Sequence, residues 1–364
     1  MPILCLKYRL YPTKAQATKM KTTLETCREV YNSMLNSRKH DYQVHGKSPS
    51  HYEQIKELPK WKKEHPELLA VHSQVLQNVS VRVDLAFKAF FRRVKAGGEK
   101  PGFPRFKGDG YDSFTYPQTG WKVMENCVTL TKIGTVKAKI HRPIVGKIKT
   151  CTVLRTGDKW FVCFACEVEH QPLPISTEAV GIDVGLEKFA ALSDGSFIEN
   201  PRFFRVEEKA LAKVQRKLSK CIRGSRERRR AKKAVRRVHE RIRNRRHNFV
   251  HQNARQVVNK FGTIAVEKLN TKSMLQNSHL SKSISDASWS MFRAVLSQKA
   301  ESAARKFVEV NPAYTSQDCS RCGYRAKKPL KERWHFCPIC SLSLDRDTNA
   351  AINILGLGLQ SLAG

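Results

Sequence analysis

Four cysteines stand in two matched pairs, Cys319-x2-Cys322 and Cys337-x2-Cys340, with fourteen residues between the pairs. A CxxC turn sets two thiolates along one edge of a tetrahedron, and two such turns at this separation have the spacing of a zinc ribbon. Four thiolates leave no open position on Zn2+, so the ion is expected to be structural. A further CxxC, Cys163 and Cys166, has no partner pair. Residues three apart in a strand face opposite ways, and these two thiols are expected to serve core packing. Catalysis must then come from carboxylates. Asp183 lies in GIDVG, a strand flanked by glycines that permit close approach of a backbone or a metal, and Glu267 ends the strand TIAVE. In DRDTNAAINIL, Asp345 or Asp347 starts a helix whose Ala350, Ala351, Ile354 and Leu355 can pack on a sheet. Each acid alone could be an ordinary turn former. Together, carboxylates from two strands and a helix can meet at one sheet edge, where they repel one another unless divalent cations hold them, and Mg2+ takes hard oxygen ligands. Two such ions activate a water and stabilise the leaving oxygen of a phosphodiester.

Composition narrows the partner. The 364 residues carry 67 Lys and Arg against 32 Asp and Glu, a formal charge of +35, while 40% apolar residues suffice for real cores. So large an imbalance exceeds what solubility requires and implies a polyanion. No apolar run is long enough to span a bilayer and the start, MPILCLKYRL, lacks the apolar core of a signal peptide. Nucleic acid in a cytosol, with no membrane, is the expected setting. Eleven cysteines, an odd number with only four in metal-ligand grouping, argue against a secreted disulfide framework.

Several elements must position these residues. ILCLKYRL has strand character, and Thr13 is placed to cap a helix that opens at YPTKAQ. Helices are expected to about Val94, interrupted by a loop over the His-rich stretch His40 to His51. FKAFFRRVKAGGEKPGFPRFK then passes into a basic Gly/Pro loop, and residues 111–169 alternate as a small antiparallel β unit that the N-terminal strand completes. HQPLP (170–174) reads as a linker. Beyond it, AVGIDVGLEKFAALSDGSFIEN reads as three short strands, followed by helices, the strand TIAVEKLN, another helix and the strand FVEVN. Between Lys213 and Arg246 there are seventeen Lys or Arg against Glu227 and Glu240. Charge runs are usually solvated faces, but one this one-sided is expected to face nucleic acid, with Arg228, Arg229 and Arg230 at its centre.

KYRLYPTKAQ, the VYN at Val30 to Asn32, FKAFFRRVKAGGEKPGFPRFK, GIDVGLEKFAALSDG, AVEKLN, the two CxxC pairs and DRDTNAAINIL occur in one order over nearly the whole chain. Together they resemble the TnpB family of transposon-encoded RNA-guided DNA endonucleases, and the last four are also similar to the RuvC region of type V CRISPR effectors. The resemblance implies α/β architecture with β-barrel and helical parts. A wedge β-barrel (1–10 and 111–174) would hold a helical recognition insert (11–110). An RNase H-like RuvC nuclease domain (175–316 and 342–364) would be interrupted by the zinc ribbon (317–341). It assigns the Mg2+-dependent cut to Asp183, Glu267 and Asp347, the last preferred because it directly precedes the x-N-A-A stretch. It implies a guide RNA from the transposon end, a double-stranded DNA target selected by base pairing beside a short flanking motif, and a protein that is monomeric with its RNA. Gln74 and Gln77, on one helical face, are amides able to read an adenine edge in that motif, and Arg92, Arg93, Lys95 and Arg105 are expected phosphate contacts. Ser341 departs from the Gly common after the fourth ribbon cysteine. A nuclease-dead RNA-guided repressor, expected to lack the acids, a conventional transposase and a plain DNA-binding regulator are the competing classes.

Overall fold

The computed structural model describes residues 3–97, 101–169, 172–326, 329 and 332–363. Part of the expected linker (170 and 171), part of the basic loop (98–100) and part of the ribbon span (327, 328, 330 and 331) lie outside the described residues. The chain forms two compact units, Met1–Glu169 and His170–Gly364.

In the first unit β1 (Ile3–Tyr11) leads to α1 (Lys14–His45), α2 (His51–Glu64), a 3-10 turn at Pro66–Ala70, and α3 (Ser73–Lys95). The strands β2 (Ser113–Tyr116), β3 (Trp121–Met124), β4 (Cys127–Leu130), β5 (Gly134–Lys139), β6 (Lys147–Thr156) and β7 (Lys159–Glu167) follow. Thr13 does cap α1: its hydroxyl accepts from the Gln16 N–H while the Gln16 side chain accepts from the Thr13 N–H. The loop expected from His40 to His51 is shorter than that. α1 continues through His45 and stops where Gly46 takes a left-handed conformation (φ 66°), which glycine adopts without steric cost. One antiparallel sheet, in the order β2-β6-β7-β1-β5-β4-β3, places the N-terminal strand at its centre. Trp121 of edge strand β3 stacks within 5.9 Å of Phe164 of β7, four strands away. A flat sheet would separate them by about 19 Å, so the sheet curls strongly; among the described residues its edge strands β2 and β3 share no ladder. Alternation along β7 buries Val162, Phe164 and Cys166 on the inner face. Cys163 therefore lies on the outer face and is joined to Cys5 of β1 in a disulfide (Cα–Cα 6.3 Å), which corrects its reading as a core thiol.

The second unit opens with β8 (Ala179–Val184), β9 (Lys188–Leu192) and β10 (Phe197–Glu199). α4 (Phe203–Ser219), α5 (Arg226–Lys260), β11 (Thr263–Glu267), α6 (Thr271–Met274), α7 (Ser281–Ala287), α8 (Trp289–Ser302), β12 (Lys306–Val310), β13 (Trp334–Phe336), β14 (Ser343–Asp345) and α9 (Arg346–Ala363) complete it. The main sheet runs β10-β9-β8-β11-β12, an antiparallel meander continued by two parallel strands. Its two faces are covered by different helices, as strand alternation requires. Val180, Ile182, Ile264 and Val266 pack against Val250, Ala254 and Val257 of α5 and Phe292 and Leu296 of α8. Gly181 and Ala265 face the other way, toward α9: a Cβ at Gly181 would stand 2.0 Å from the Ala351 carbonyl, and one at Gly358 would stand 2.5 Å from Ala265. The missing side chains let α9 lie directly on β8 and β11. No helix among the described residues is long and apolar enough to cross a membrane.

Candidate metal centre

Two sets of ligand-type side chains occur in the second unit, both near the start of α9. All four ribbon sulfurs lie within 4.8 Å of one another, with Cys319–Cys340 and Cys322–Cys337 each at 3.5 Å. A tetrahedron with Zn–S bonds near 2.3 Å has edges of about 3.8 Å, so the set fits a tetrahedral thiolate-bound ion. The backbone builds the same turn twice: Gly323 N–H donates to the Cys319 carbonyl and Ser341 N–H to the Cys337 carbonyl, each at 2.9 Å. Both turn residues have positive φ, 74° at Gly323 and 57° at Ser341. Ser341 thus keeps the knuckle turn that glycine makes, at the steric cost of its Cβ. Burial pushes the Cys337 thiol up, but backbone N–H groups of Cys340 and Ile339 and the neighbouring thiols bring it to about 6. Burial and the same cluster of thiols raise Cys322 and Cys340, so without a cation one thiol of the set gives up its proton most readily.

The carboxylates are brought together by register. Ile182 and Val266 are paired on the adjacent parallel strands β8 and β11, so Asp183 and Glu267 follow side by side at the two strand ends. Alternation puts them on the face that α9 covers, and its first turn carries Asp347 toward them. Burial, then the negative charges of Glu267 and Asp347, hold the Asp183 carboxyl well above the usual range. Burial likewise raises Glu267, opposed by a 2.6 Å hydrogen bond donated by Thr315 to its Oε1. Burial raises Asp347 too, against Arg333, whose guanidinium stands 3.6 Å away. Such acids hold their negative charge poorly without a cation, which suits hard divalent ions. They do not close as the thiols do. Among the described residues the cysteines are the one set of three or more His, Cys, Asp or Glu whose ligand atoms all lie within 4.8 Å of one another.

The two aspartates of DRD differ in what holds them. Asp345 Oδ1 accepts from the backbone N–H groups of Asp347 (2.9 Å) and Thr348 (3.2 Å), as a helix cap does, and its Oδ2 meets Lys188 at 3.1 Å. Among the described residues the Asp347 carboxylate has only the looser Arg333 contact. Sequence reading missed the residues that fasten the ribbon to α9. Asn349, fully buried, accepts from Ser320 N–H and donates to the Asp318 carbonyl, and Asn353 donates to the carbonyls of Thr315 and Asp318. Their i, i+4 spacing in TNAAIN was the available signal.

The expected nucleic-acid contacts divide. Arg92, Lys95, Arg105, Arg229 and Arg230 are exposed. Arg93 instead donates to the carbonyls of Pro101 and Gly102, and Arg228 to those of Leu218 and Cys221 at the end of α4. The Gln74 carbonyl accepts from Thr119 N–H (2.8 Å) and Oγ1 (3.0 Å), so reading an adenine with both ends of the amide would break that pair; Gln77 is half-buried on the same helix. Some of the α5 arginines are spent on pairing between helices: Arg241 and Arg245 with Glu207 of α4, and Arg246 with Asp286 of α7.

Residues 163–278 match a family described as "Probable transposase", the OrfB proteins of IS605 elements, and residues 289–354 match "Cas12f1-like, TNB domain". Residues 2–47 match a family described as "Helix-turn-helix domain", although here residues 3–45 form one strand and one continuous helix. A "Putative RNA-guided DNA endonuclease" of Streptomyces pristinaespiralis is 34% identical over 98% of this chain and 90% of its own length. "Putative RNA-guided DNA endonuclease InsQ" of Escherichia coli K12 is 31% identical over 98% and 92%. Among solved structures, "mini-RNA-guided endonuclease CRISPR-Cas_phi3" shares the fold at TM-score 0.54 and 8% identity, over 98% of this chain and 92% of that one. At such identity, sustained over nearly the full length of both sequences, the chain belongs to the TnpB family.

Proposed function

We propose that this chain is a transposon-encoded, RNA-guided DNA endonuclease that cuts with Asp183, Glu267 and Asp347. The convergence of these acids at the ends of β8 and β11, under the first turn of α9, carries the reading. The five-stranded unit with its helices on both faces is read as an RNase H-like RuvC domain (175–316 and 342–364), interrupted by the zinc ribbon (317–341). The curled sheet (1–10 and 111–174) is read as the wedge barrel and residues 11–110 as the recognition insert. Mg2+ bound by the acids supplies positive charge against the scissile phosphate and an activated water. The chain's own residues do the rest. Thr315 holds one oxygen of Glu267, Asp345 fixes the helix start that carries Asp347, and Zn2+ on the four cysteines would stiffen the segment between β12 and α9. A guide RNA from the transposon end would select double-stranded DNA by pairing, while cationic surfaces hold the backbones.

The test is to express the chain with its flanking transposon DNA, sequence the RNA that co-purifies, and incubate the complex with plasmids matching that RNA. Mg2+-dependent cutting of matched plasmid alone is expected. Binding without cutting would favour a guided repressor, and strand joining a transposase; either would overturn the proposal.

A further inference from the structure

A concave site lies in the first unit. A cavity of about 330 Å³, at the lower end of small-ligand pockets, is lined by Arg9 and Tyr11 of β1, Lys21 of α1, Arg155 of β6, Asp158 and Trp160. Three cations thus face one carboxylate. Arg9 is held in place by two rings, its guanidinium carbon 5.1 Å from the centre of Phe161 and 5.5 Å from that of Tyr11. Stacking satisfies the faces of a guanidinium but not its N–H donors, and Arg9 Nη1 is buried with no hydrogen-bond acceptor. Among the described residues Lys21 makes no ion pair, and Arg155 turns its Nε to the Gly157 carbonyl. The pocket is thus lined by an ammonium without an ion pair and a second guanidinium, with the buried, acceptor-less Nη1 of Arg9 in its wall, beside Tyr11, which is 51% exposed.

We propose that this pocket takes one phosphate of a single-stranded nucleic acid, with the adjoining base against Tyr11. A planar guanidinium fork matches phosphate oxygens, and an aromatic rim stacks any base, so the pair selects backbone and strandedness rather than sequence. A phosphate could also arrive as a free nucleotide, with the same chemistry. The inference rests on the nucleic-acid reading above and adds a specific point of capture to it.

The test uses the full chain, RNA transcribed from the DNA flanking its own gene, a DNA copy of that strand, and AMP as the free-phosphate probe. Arg9→Gln and Lys21→Ala should each weaken strand binding about tenfold, the loss of one charge-assisted hydrogen bond, while Lys14→Ala, on the same helix outside the pocket, should change it less than about twofold. In a scan with single methylphosphonate linkages, wild type should be sensitive at one position and Arg9→Gln insensitive there. The RNA and DNA arms report which strand supplies the phosphate. Because Lys21 is exposed, Lys21→Ala keeps the test open if Arg9→Gln fails to fold. Unchanged strand affinity in both variants, or AMP binding that depends on Arg9 while strand binding does not, would overturn the proposal. If wild type binds RNA well and these variants do too, only the pocket falls; if wild type binds neither RNA nor DNA, the nucleic-acid reading falls with it.

Discussion

The thiol and carboxylate sets stand close to the same helix start and are built in opposite ways. The four sulfurs come from a stretch of 22 residues and are gathered by two local turns, so the ligand set is preformed. The acids come from three elements spread over 165 positions, and long-range packing buries them, raising Asp183, Glu267 and Asp347 above ordinary carboxylates, with the charges of Glu267 and Asp347 adding to the effect at Asp183. A structural metal site can be a stable local motif. A site for hydrolysis stores electrostatic strain that a cation relieves, and the rest of the fold must sustain it.

The largest expected effect breaks the comparison on its functional side. Asp183→Asn should lower the cleavage rate about a thousandfold or more, while RNA binding stays within about twofold, because a ligand is lost and no cation contacting phosphate is. A cleavage assay and a filter-binding titration on the same preparation decide it; parallel loss of both would remove Asp183 from its role. On the other side, Cys337→Ser should cost about 3 kcal/mol or more in stability and deplete the zinc measured in the purified protein. A variant with full zinc content would show that the four-thiol set is misassigned.

The third prediction concerns pH. A carboxyl raised in the folded state contributes most to stability in acid, below its unfolded value, and that contribution is lost as pH rises through the folded value. Metal-free wild type should therefore lose stability relative to Asp183→Asn as pH rises above about 4, and Mg2+ should restore it in wild type alone. Equal melting curves for the two proteins at pH 7 without metal would argue that the acids are not strained. The smallest effect sharpens the ribbon side. Ser341→Gly should stabilise by about 0.5 kcal/mol, since relief of the left-handed backbone outweighs the entropy that glycine adds to the unfolded chain. Chemical denaturation of the zinc-loaded protein reads it directly, and a destabilised variant would mean the Ser341 side chain contributes more than its strain costs.

Much of this was legible in the residues. The paired cysteines, the Thr13 cap, the meander at GIDVG, the strand TIAVE and the basic character of the long helices follow from spacing, propensity and charge, all properties of neighbouring residues. What only the fold decided has partners far away in the chain. Nothing near Glu267 foretells Thr315, 48 residues on, and the division of labour between Asp345 and Asp347 depends on Lys188, 157 residues back. The basic residues show the same boundary. Arg93 and Arg228 are indistinguishable in sequence from Arg92 and Arg229, yet their guanidiniums end on backbone carbonyls while their neighbours face solvent.

By itself the sequence determined which side chains were available for chemistry: four thiols at tetrahedral spacing, acids at strand ends, and a large excess of cations. Tertiary structure decided which of them meet, because Gly181 and Gly358 let α9 lie against the sheet and bring Asp347 toward Asp183 and Glu267. Local spacing fixes a turn or a face; the energy of charges at close range depends on separations that only the packed chain defines.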